Sequence, residues 1–161
     1  MNFDAKEFRQ ALGCFATGVT AITAQRDGSP YGMTVNSFAS VSLTPPLVLF
    51  CATPGGETYR AILDSQHYAV NILAQEQQDI ALRFAGMTPI GEENRFDGLG
   101  YSPAPHSQSP WLDGCLAWLD CKIVQSIEAG DHVVMLAQVL ELRKAPPASP
   151  LLFFSGQWPK I

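Results

Sequence analysis

Small hydroxyl and amide side chains are concentrated in one stretch of the chain, between Thr34 and Ser42. They alternate there with Val, Phe and Ala residues, which favour a strand. An ordinary strand has no need of so many small polar side chains. A strand that lays its backbone and hydroxyls against a flat, polar-edged ligand does need them. We therefore predict that the stretch from Tyr31 to Cys51 forms the floor of a ligand-binding site.

A second candidate feature follows the apolar segment 47–52. Thr53-Pro54-Gly55-Gly56 is a loop pattern, and Glu57 and Thr58 are predicted to open a short helix. Free amides at a helix N-terminus bind phosphate well, and the Thr58 hydroxyl and the Arg60 charge could add to such a site. A plain loop with a helix cap explains the same residues, so both interpretations stay open.

Other candidate chemistry is sparse. Gly130-Asp131-His132 is typical of a hairpin turn with a polar residue at the start of a strand. The sequence has no dinucleotide or phosphate-loop glycine motif, no serine-hydrolase elbow and no Cys-x-x-Cys pair, so no metal site is predicted. A ligand floor with few acid, base or nucleophile candidates favours a cofactor that carries the reactivity itself.

The elements that must position these residues are mostly strands. A strand at 18–24 is predicted to return through the Asp27-Gly28 turn into the floor stretch as an antiparallel hairpin. Pro45-Pro46 marks a corner, because neither residue can donate a backbone hydrogen bond to a ladder. Region 85–112 is predicted to be a long loop. Further strands are expected at 47–52, 68–73, 115–128, 132–142 and 151–154, and helices at 5–15, 57–64 and 75–84.

Strands that follow one another in hairpin order, with few helices between them, predict a mainly β fold with flanking helices. The architecture expected is an antiparallel Greek-key split β-barrel. A chain of 161 residues is the size of one domain, so residues 1–161 are expected to form a single unit.

Composition narrows the partners and the location. Hydrophobic residues make up 47% of the chain and charged residues 16%, which predicts a compact core and some surface covered by a partner chain. The segment 47–52 is apolar on both faces, which predicts a strand in a barrel wall that is covered by helices or by a second subunit, as in a homodimer. A net charge of −5 without a basic stripe argues against nucleic acid as a partner.

Short apolar runs argue against a membrane span, and the first residues do not resemble a signal peptide. A cytoplasmic protein is therefore expected, with reduced and buried cysteines.

Six blocks occur in a fixed order along the chain, and together they resemble those of one family. They are 11–20, Thr34–Val48, Val70–Leu73, Phe84–Thr88 with Arg95-Phe96, Gly130–His132 and Pro150–Phe154. The ordered set resembles the short-chain flavin reductases, the small NAD(P)H-dependent components of two-component flavin monooxygenases. The Phe84–Thr88 block is especially similar to the reductase component of 4-hydroxyphenylacetate 3-monooxygenase.

The resemblance implies an FMN-binding split barrel that dimerises, with the flavin near the subunit interface. It implies FMN or FAD as the flavin, NADH or NADPH as the hydride donor, and an oxygenase component that receives the reduced flavin. Contacts to the flavin ring and ribityl chain would come from Thr34, Val35, Asn36, Ser37, Ser40, Val41 and Ser42. The ribityl phosphate would be flanked by Cys51, Ala52, Thr53, Glu57 and Thr58. Phe84 and Ala85 would close over the flavin, and His132 would be the catalytic residue beside the nicotinamide or the flavin ring.

The chain departs from the family pattern in two places. Thr44 stands where an aspartate is frequent, and Gly55-Gly56-Glu57 replaces a more hydroxyl-rich loop. The second departure bears on the phosphate contacts and on the choice between FMN and FAD.

The function predicted is an NAD(P)H:flavin oxidoreductase. Hydride transfer from nicotinamide C4 to flavin N5 requires the two rings to be held face to face and needs no general base, which agrees with the sparse chemistry above. Two alternatives stay open. One is a non-enzymatic FMN-binding electron carrier on the same barrel. The other is an oxidase of the pyridoxamine-phosphate type on a related barrel, which would need a basic pocket in a chain with only 10 Lys and Arg.

Overall fold

A computed structural model describes residues 2–89 and 94–161. The elements are mostly strands, with three α-helices and a short 3₁₀ helix, Gln75–Gln77, directly before the third. The helices are α1 Ala5–Gly13, α2 Glu57–Ser65 and α3 Gln78–Phe84. The strands are β1 Thr17–Gly18, β2 Thr20–Arg26, β3 Ser29–Val35, β4 Ala39–Leu43, β5 Pro46–Ala52, β6 His67–Ile72, β7 Tyr101–Pro103, β8 Pro110–Leu112, β9 Ala117–Ala129, β10 His132–Lys144 and β11 Leu152–Phe153.

Seven strands form one antiparallel sheet in the order β3-β2-β6-β9-β10-β5-β4. The predicted mainly β, antiparallel fold is therefore confirmed. The ladder does not close into a barrel within the described residues, because β3 and β4 are both edge strands. The hydroxyl of Ser37, just beyond β3, instead accepts a 3.0 Å hydrogen bond from the Cys51 amide of β5 and donates a 3.2 Å bond to its carbonyl. The Ser37 side chain thus links the end of β3 to β5.

The β2–β3 hairpin has the predicted two-residue turn. Arg26 pairs with Ser29, and Asp27 and Gly28 both adopt positive φ angles, 52° and 77°. This left-handed pair matches the right-handed twist of the flanking strands, which is why Asp-Gly is favoured here. The turn sets the register of β3 and therefore the position of Thr34 beside Ala21.

The core lies on both faces of the sheet. Ile22 and Ala24 of β2 pack in a cluster with Phe50 and Tyr68, whose rings meet edge to face at 5.0 Å. Ala21, on the opposite face of the same strand, packs in a second cluster beneath α3 and β8. The alternation follows from the two-residue period of a strand.

Strand β5 differs from its prediction. Val48, Phe50 and Ala52 are buried, whereas Leu47 and Leu49 on the other face are only half-buried in the single chain. The apolar pattern of 47–52 therefore does not correspond to burial on both faces within one chain.

The region predicted as one long loop contains a hairpin, β7–β8, in its described part. Buried Asn71 holds β8, donating to the Pro110 carbonyl at 3.2 Å and accepting from the Leu112 amide at 2.7 Å. Buried Asp120 holds the loop between β7 and β8 by accepting from two of its backbone amides, at 2.7 and 3.2 Å. These polar contacts come from distant strands, so periodicity within 85–112 could not indicate them.

Smaller differences concern the helices and cysteines. Helix α1 ends at Gly13 rather than Phe15, and it buries none of its residues. Cys115 and Cys121 are buried as predicted, but Cys14 is exposed and Cys51 is half-buried; all four are free thiols.

No helix in the described part of the chain has the length and apolar character needed to cross a membrane.

Candidate active site

A cleft of about 890 Å³ lies along β3, at one edge of the sheet. Every residue from Ser29 to Ser37 lines it. Because β3 pairs only with β2, part of its backbone amides and carbonyls face the cleft side without a strand partner. The other walls are formed by Cys51, Thr53, Pro54, Gly56, Glu57, Thr58, Phe84, Ala85, Asn94, Arg95, Phe96 and His132. The volume lies within the usual range for small-molecule sites.

The wall of the cleft that Phe84 and Phe96 form depends on a glycine in β3. A Cβ at Gly32 would lie 2.8 Å from a ring carbon of Phe84 and 3.2 Å from one of Phe96, so only glycine lets these rings approach β3. The two rings pack against each other with centroids 4.9 Å apart. Thr34 fastens α3 to the same strand, because its hydroxyl donates a 2.7 Å hydrogen bond to the Ala81 carbonyl.

The rim of the cleft contains the first turn of α2. Gly56 is the N-cap and makes no side-chain capping bond. The Glu57 carboxylate is bound by two guanidinium groups, with Arg26 Nη2 2.6 Å from one oxygen and Arg60 hydrogen-bonded to the other. The hydrogen bond from Arg26 lowers the pKa of the Glu57 carboxyl below its ordinary value. Thr58 is only 8% exposed and lines the cleft.

His132 stands at the start of β10, at one side of the cleft. Its Nδ1 lies 2.8 Å from Oδ1 of Asp131, and its Nε2 lies 3.3 Å from Oγ1 of Thr53. A carboxylate on Nδ1 holds the proton there, so in the neutral ring Nε2 is left as the acceptor for the Thr53 hydroxyl. The same contact lowers the pKa of the Asp131 carboxyl. The imidazole is thus oriented from both nitrogens.

The structure brings most of the sequence-predicted site residues together and leaves others outside. The cleft is lined by Thr34, Val35, Asn36, Ser37, Cys51, Thr53, Glu57, Thr58, Phe84, Ala85 and His132. Outside its lining lie Ser40, Val41, Ser42 and Ala52. The first three belong to β4, the far edge of the sheet, and Ala52 is fully buried in the core.

Sequence reasoning assigned no role to several residues that line the cleft. Ser29 and Pro30 had no predicted role, and Tyr31 to Met33 were predicted only as part of the floor stretch; all five line the cleft because the backbone edge of β3 faces it, and that edge has no side-chain signature. Asn94, Arg95 and Phe96 come from the long region after α3. Arg95 Nη1 donates a 3.3 Å bond to the Phe84 carbonyl, at the C-terminal end of α3, which suits a cation. The sequence did contain a signal for Arg95 and Phe96, because they form one of the blocks that resemble the family.

Comparison with known proteins identifies the class. The model of the "Flavin reductase like domain" matches residues 12–161. The chain is 42% identical over 158 residues to the reductase subunit HsaB of a flavin-dependent monooxygenase from Rhodococcus jostii, covering 98% of this chain and 78% of that protein. It is 38% identical over 162 residues to HsaB of Mycobacterium tuberculosis, covering 99% and 84%.

Solved structures agree with the sequence relatives. The NADH:FAD oxidoreductase SgcE6 of Streptomyces globisporus superposes with a TM-score of 0.91 at 33% identity, over 100% of this chain and 95% of that one. A second SgcE6 structure, in complex with NAD and FAD fragments, has a TM-score of 0.90 and covers 98% and 93%. The chain belongs to the flavin reductase-like domain family. The predictions of a flavin reductase, and of flavin and nicotinamide as its cofactors, are thereby confirmed.

The residues of the cleft fit a flavin. The unpartnered edge of β3 and the side-chain amide of Asn36 offer donors and acceptors to a flat ring with a polar edge, and the Thr34 hydroxyl, which donates to Ala81, can still accept. The uncapped first turn of α2 offers backbone amides to a phosphate. Gly32 keeps the floor flat where a larger residue would displace the aromatic wall.

Proposed function

We propose that this chain transfers hydride from reduced nicotinamide dinucleotide to FMN or FAD and supplies the reduced flavin to a separate monooxygenase. The observation that carries the proposal is the cleft along β3, with an open backbone edge, a glycine floor and an uncapped helix at its rim. Relatives named as monooxygenase reductase subunits support the oxygenase partner. The name of SgcE6 favours NADH and FAD among the pairs.

The chain's own residues bind and orient. Thr34 to Ser37 and the free edge of β3 hold the ring, while Thr53 and the first turn of α2, with Glu57 and Thr58, lie at the phosphate end. When bound, the flavin supplies the acceptor for the hydride, so the protein needs no nucleophile. Backbone amides of β3 and the Asn36 side-chain amide would hold the polar edge of the ring and stabilise negative charge on it. Phe84 and Phe96 cover one side of the cleft and keep water from it.

His132 is the proposed catalytic residue. It lines the cleft, and Asp131 and Thr53 hold its ring. A fixed imidazole beside the cleft can hold a nicotinamide ring against the flavin, and such positioning can supply several kcal/mol of the barrier.

The proposal includes a homodimer of this single domain, residues 1–161. Leu43 of β4 is 91% exposed and Val41 is 48% exposed, and the outer half of β9 exposes Val124 and Ile127. Apolar side chains on the free part of a sheet favour cover by a second copy of the chain.

A cytoplasmic location is also proposed, since charged nicotinamide dinucleotides do not cross membranes freely.

The test is a turnover assay that crosses NADH and NADPH with FMN, FAD and riboflavin. Oxidation of the nicotinamide, followed by its absorbance, should require added flavin and should produce reduced flavin when oxygen is excluded. Addition of an oxygenase component should consume that flavin. A folded protein that binds flavin but oxidises neither nicotinamide refutes the proposal.

A further inference from the structure

Four charged side chains form a cluster where α2 meets the β2–β3 hairpin. We name this group, Arg26, Glu57, Arg60 and Asp64, the α2 charge cluster. Arg26 binds Glu57 at 2.6 Å and lies 3.6 Å from the Asp64 carboxylate, and Arg60 binds the second oxygen of Glu57. Two arginines and two carboxylates leave the cluster with no net charge. Of the four, Glu57 lines the cleft.

Beside Glu57 the cleft presents groups that suit an anion. Gly56 provides no capping side chain, so the first amides of α2 have no side-chain acceptor. Thr58 is only 8% exposed and lines the cleft, and its hydroxyl makes no hydrogen bond with another residue in 2–89 or 94–161. The hydroxyl oxygen is not one of the fully buried polar atoms without a partner, so it faces the open cleft, where it can donate to an anion.

The Glu57 carboxylate makes this end of the cleft less favourable for an anion. Its carboxylate lines the same end of the cleft and takes up both nearby guanidinium groups. An arriving phosphate therefore meets the amides of α2 and the Thr58 hydroxyl, but not two free arginines. The hydrogen bond from Arg26 keeps the carboxyl ionised by lowering its pKa. The Arg26 guanidinium also lies over the Tyr31 ring, 4.9 Å from its centroid.

We propose that Glu57 is a specificity-determining residue that limits flavin affinity by competing with the flavin phosphate for Arg26 and Arg60. The inference rests on the proposed function and deepens it, because a reductase that supplies another enzyme must release its flavin. The effect is confined to flavins that carry a phosphate. Riboflavin has the same ring without that charge and is therefore the internal reference.

The experiment compares Glu57→Gln with wild type by equilibrium titration of FMN and of riboflavin, followed by quenching of flavin fluorescence. Removal of the carboxylate should lower the Kd of FMN relative to that of riboflavin by about three- to tenfold at low salt, the size expected for one unit charge several ångströms from a phosphate in water. High salt should reduce the difference, because the rim is exposed and screened.

Two further variants test whether the change in FMN affinity comes from the charge of Glu57. Arg60→Gln leaves Glu57 less neutralised, so it should raise the Kd of FMN relative to riboflavin, opposite in sign to Glu57→Gln. Glu76→Gln removes the same charge from an exposed position outside the cleft and should leave the ratio unchanged. Opposite signs at two partners of one ion pair would not arise from a merely structural role. Arg60 is exposed, so its variant keeps the test valid even if Glu57→Gln folds poorly.

The outcomes separate the two proposals. An FMN to riboflavin ratio that is the same in Glu57→Gln, Arg60→Gln and wild type overturns the role of Glu57, while flavin-dependent turnover would still support the reductase. A protein that binds neither flavin overturns both.

Discussion

Gly32→Ala tests directly how β3 and α3 form the cleft. The added methyl group would lie 2.8 and 3.0 Å from two ring carbons of Phe84 and 3.2 Å from a ring carbon of Phe96. Carbon atoms in ordinary contact are about 3.5–4.0 Å apart. The Phe84 ring is 2% exposed and packs against Phe96, so neither ring can move without displacing the other.

The expected cost is that of overpacking a filled core, about 1–3 kcal/mol of unfolding free energy. For a chain of this size, that corresponds to a fall in Tm of roughly 2–12 °C. Flavin binding should weaken as well, because Phe84 and Gly32 both line the cleft and the displaced ring would narrow it.

Urea denaturation followed by circular dichroism measures the first effect, and flavin titration measures the second. Gly18→Ala is the matched control, since a Cβ there would meet no atom within 4 Å. Combining Gly32→Ala with Phe84→Leu should cost less than the sum of the two single changes, because the smaller side chain makes room for the methyl group. If Gly32→Ala were as stable as Gly18→Ala and bound flavin normally, the described packing of the wall would be wrong.

Three further predictions concern other groups. Asp120→Ala should lower the unfolding free energy by about 2–3 kcal/mol, measured in urea, because two amides of the loop before β8 lose their buried acceptor; a neutral change would contradict this role. His132→Ala should raise the KM for the nicotinamide or lower kcat while the protein stays folded, and wild-type kinetics would remove His132 from the mechanism. The same variant should raise the pKa of Asp131 toward its ordinary value by NMR titration. In wild type this lowered pKa adds stability above the carboxyl's ordinary pKa, and that stability is lost as the pH falls through the lowered value. Burial raises the pKa of the Cys115 thiol to about 12, so native alkylation near neutral pH should label exposed Cys14 and spare Cys115, as mass spectrometry would show; equal labelling would contradict its burial.

The position of β4 shows a limit of reading a site along the chain. Ser40, Val41 and Ser42 follow Thr34 to Ser37 in the predicted floor stretch, and the family resemblance implied a flavin contact for them as well. The chain turns after Ser37, and β4 pairs only with β5 at the far edge of the sheet. Their contact with flavin stays a prediction, and the cleft of the single chain does not include them.

Local chemistry in the sequence determined a good part of this protein. Asp27-Gly28 determined the β2–β3 hairpin, because few other residue pairs adopt its left-handed turn. Alternating small polar and β-branched residues predicted a ligand floor from Tyr31 to Cys51, of which Tyr31 to Ser37 and Cys51 line the cleft, and the ordered blocks identified the family. The turn and the floor pattern are readable because each depends on residues that are close along the chain, and the family blocks are readable because their order along the chain is preserved.

Tertiary structure alone decided the rest. The role of Gly32 depends on two rings more than fifty positions away, and the state of Glu57 in α2 depends on Arg26 at the end of β2. Much of the cleft is lined by backbone from the open edge of β3, and an open backbone edge does not require particular side chains that could be recognised in the sequence. Contacts between distant segments and exposed backbone edges are set by how the sheet folds in space, so the glycine floor and the neutralised rim became visible only in the folded chain.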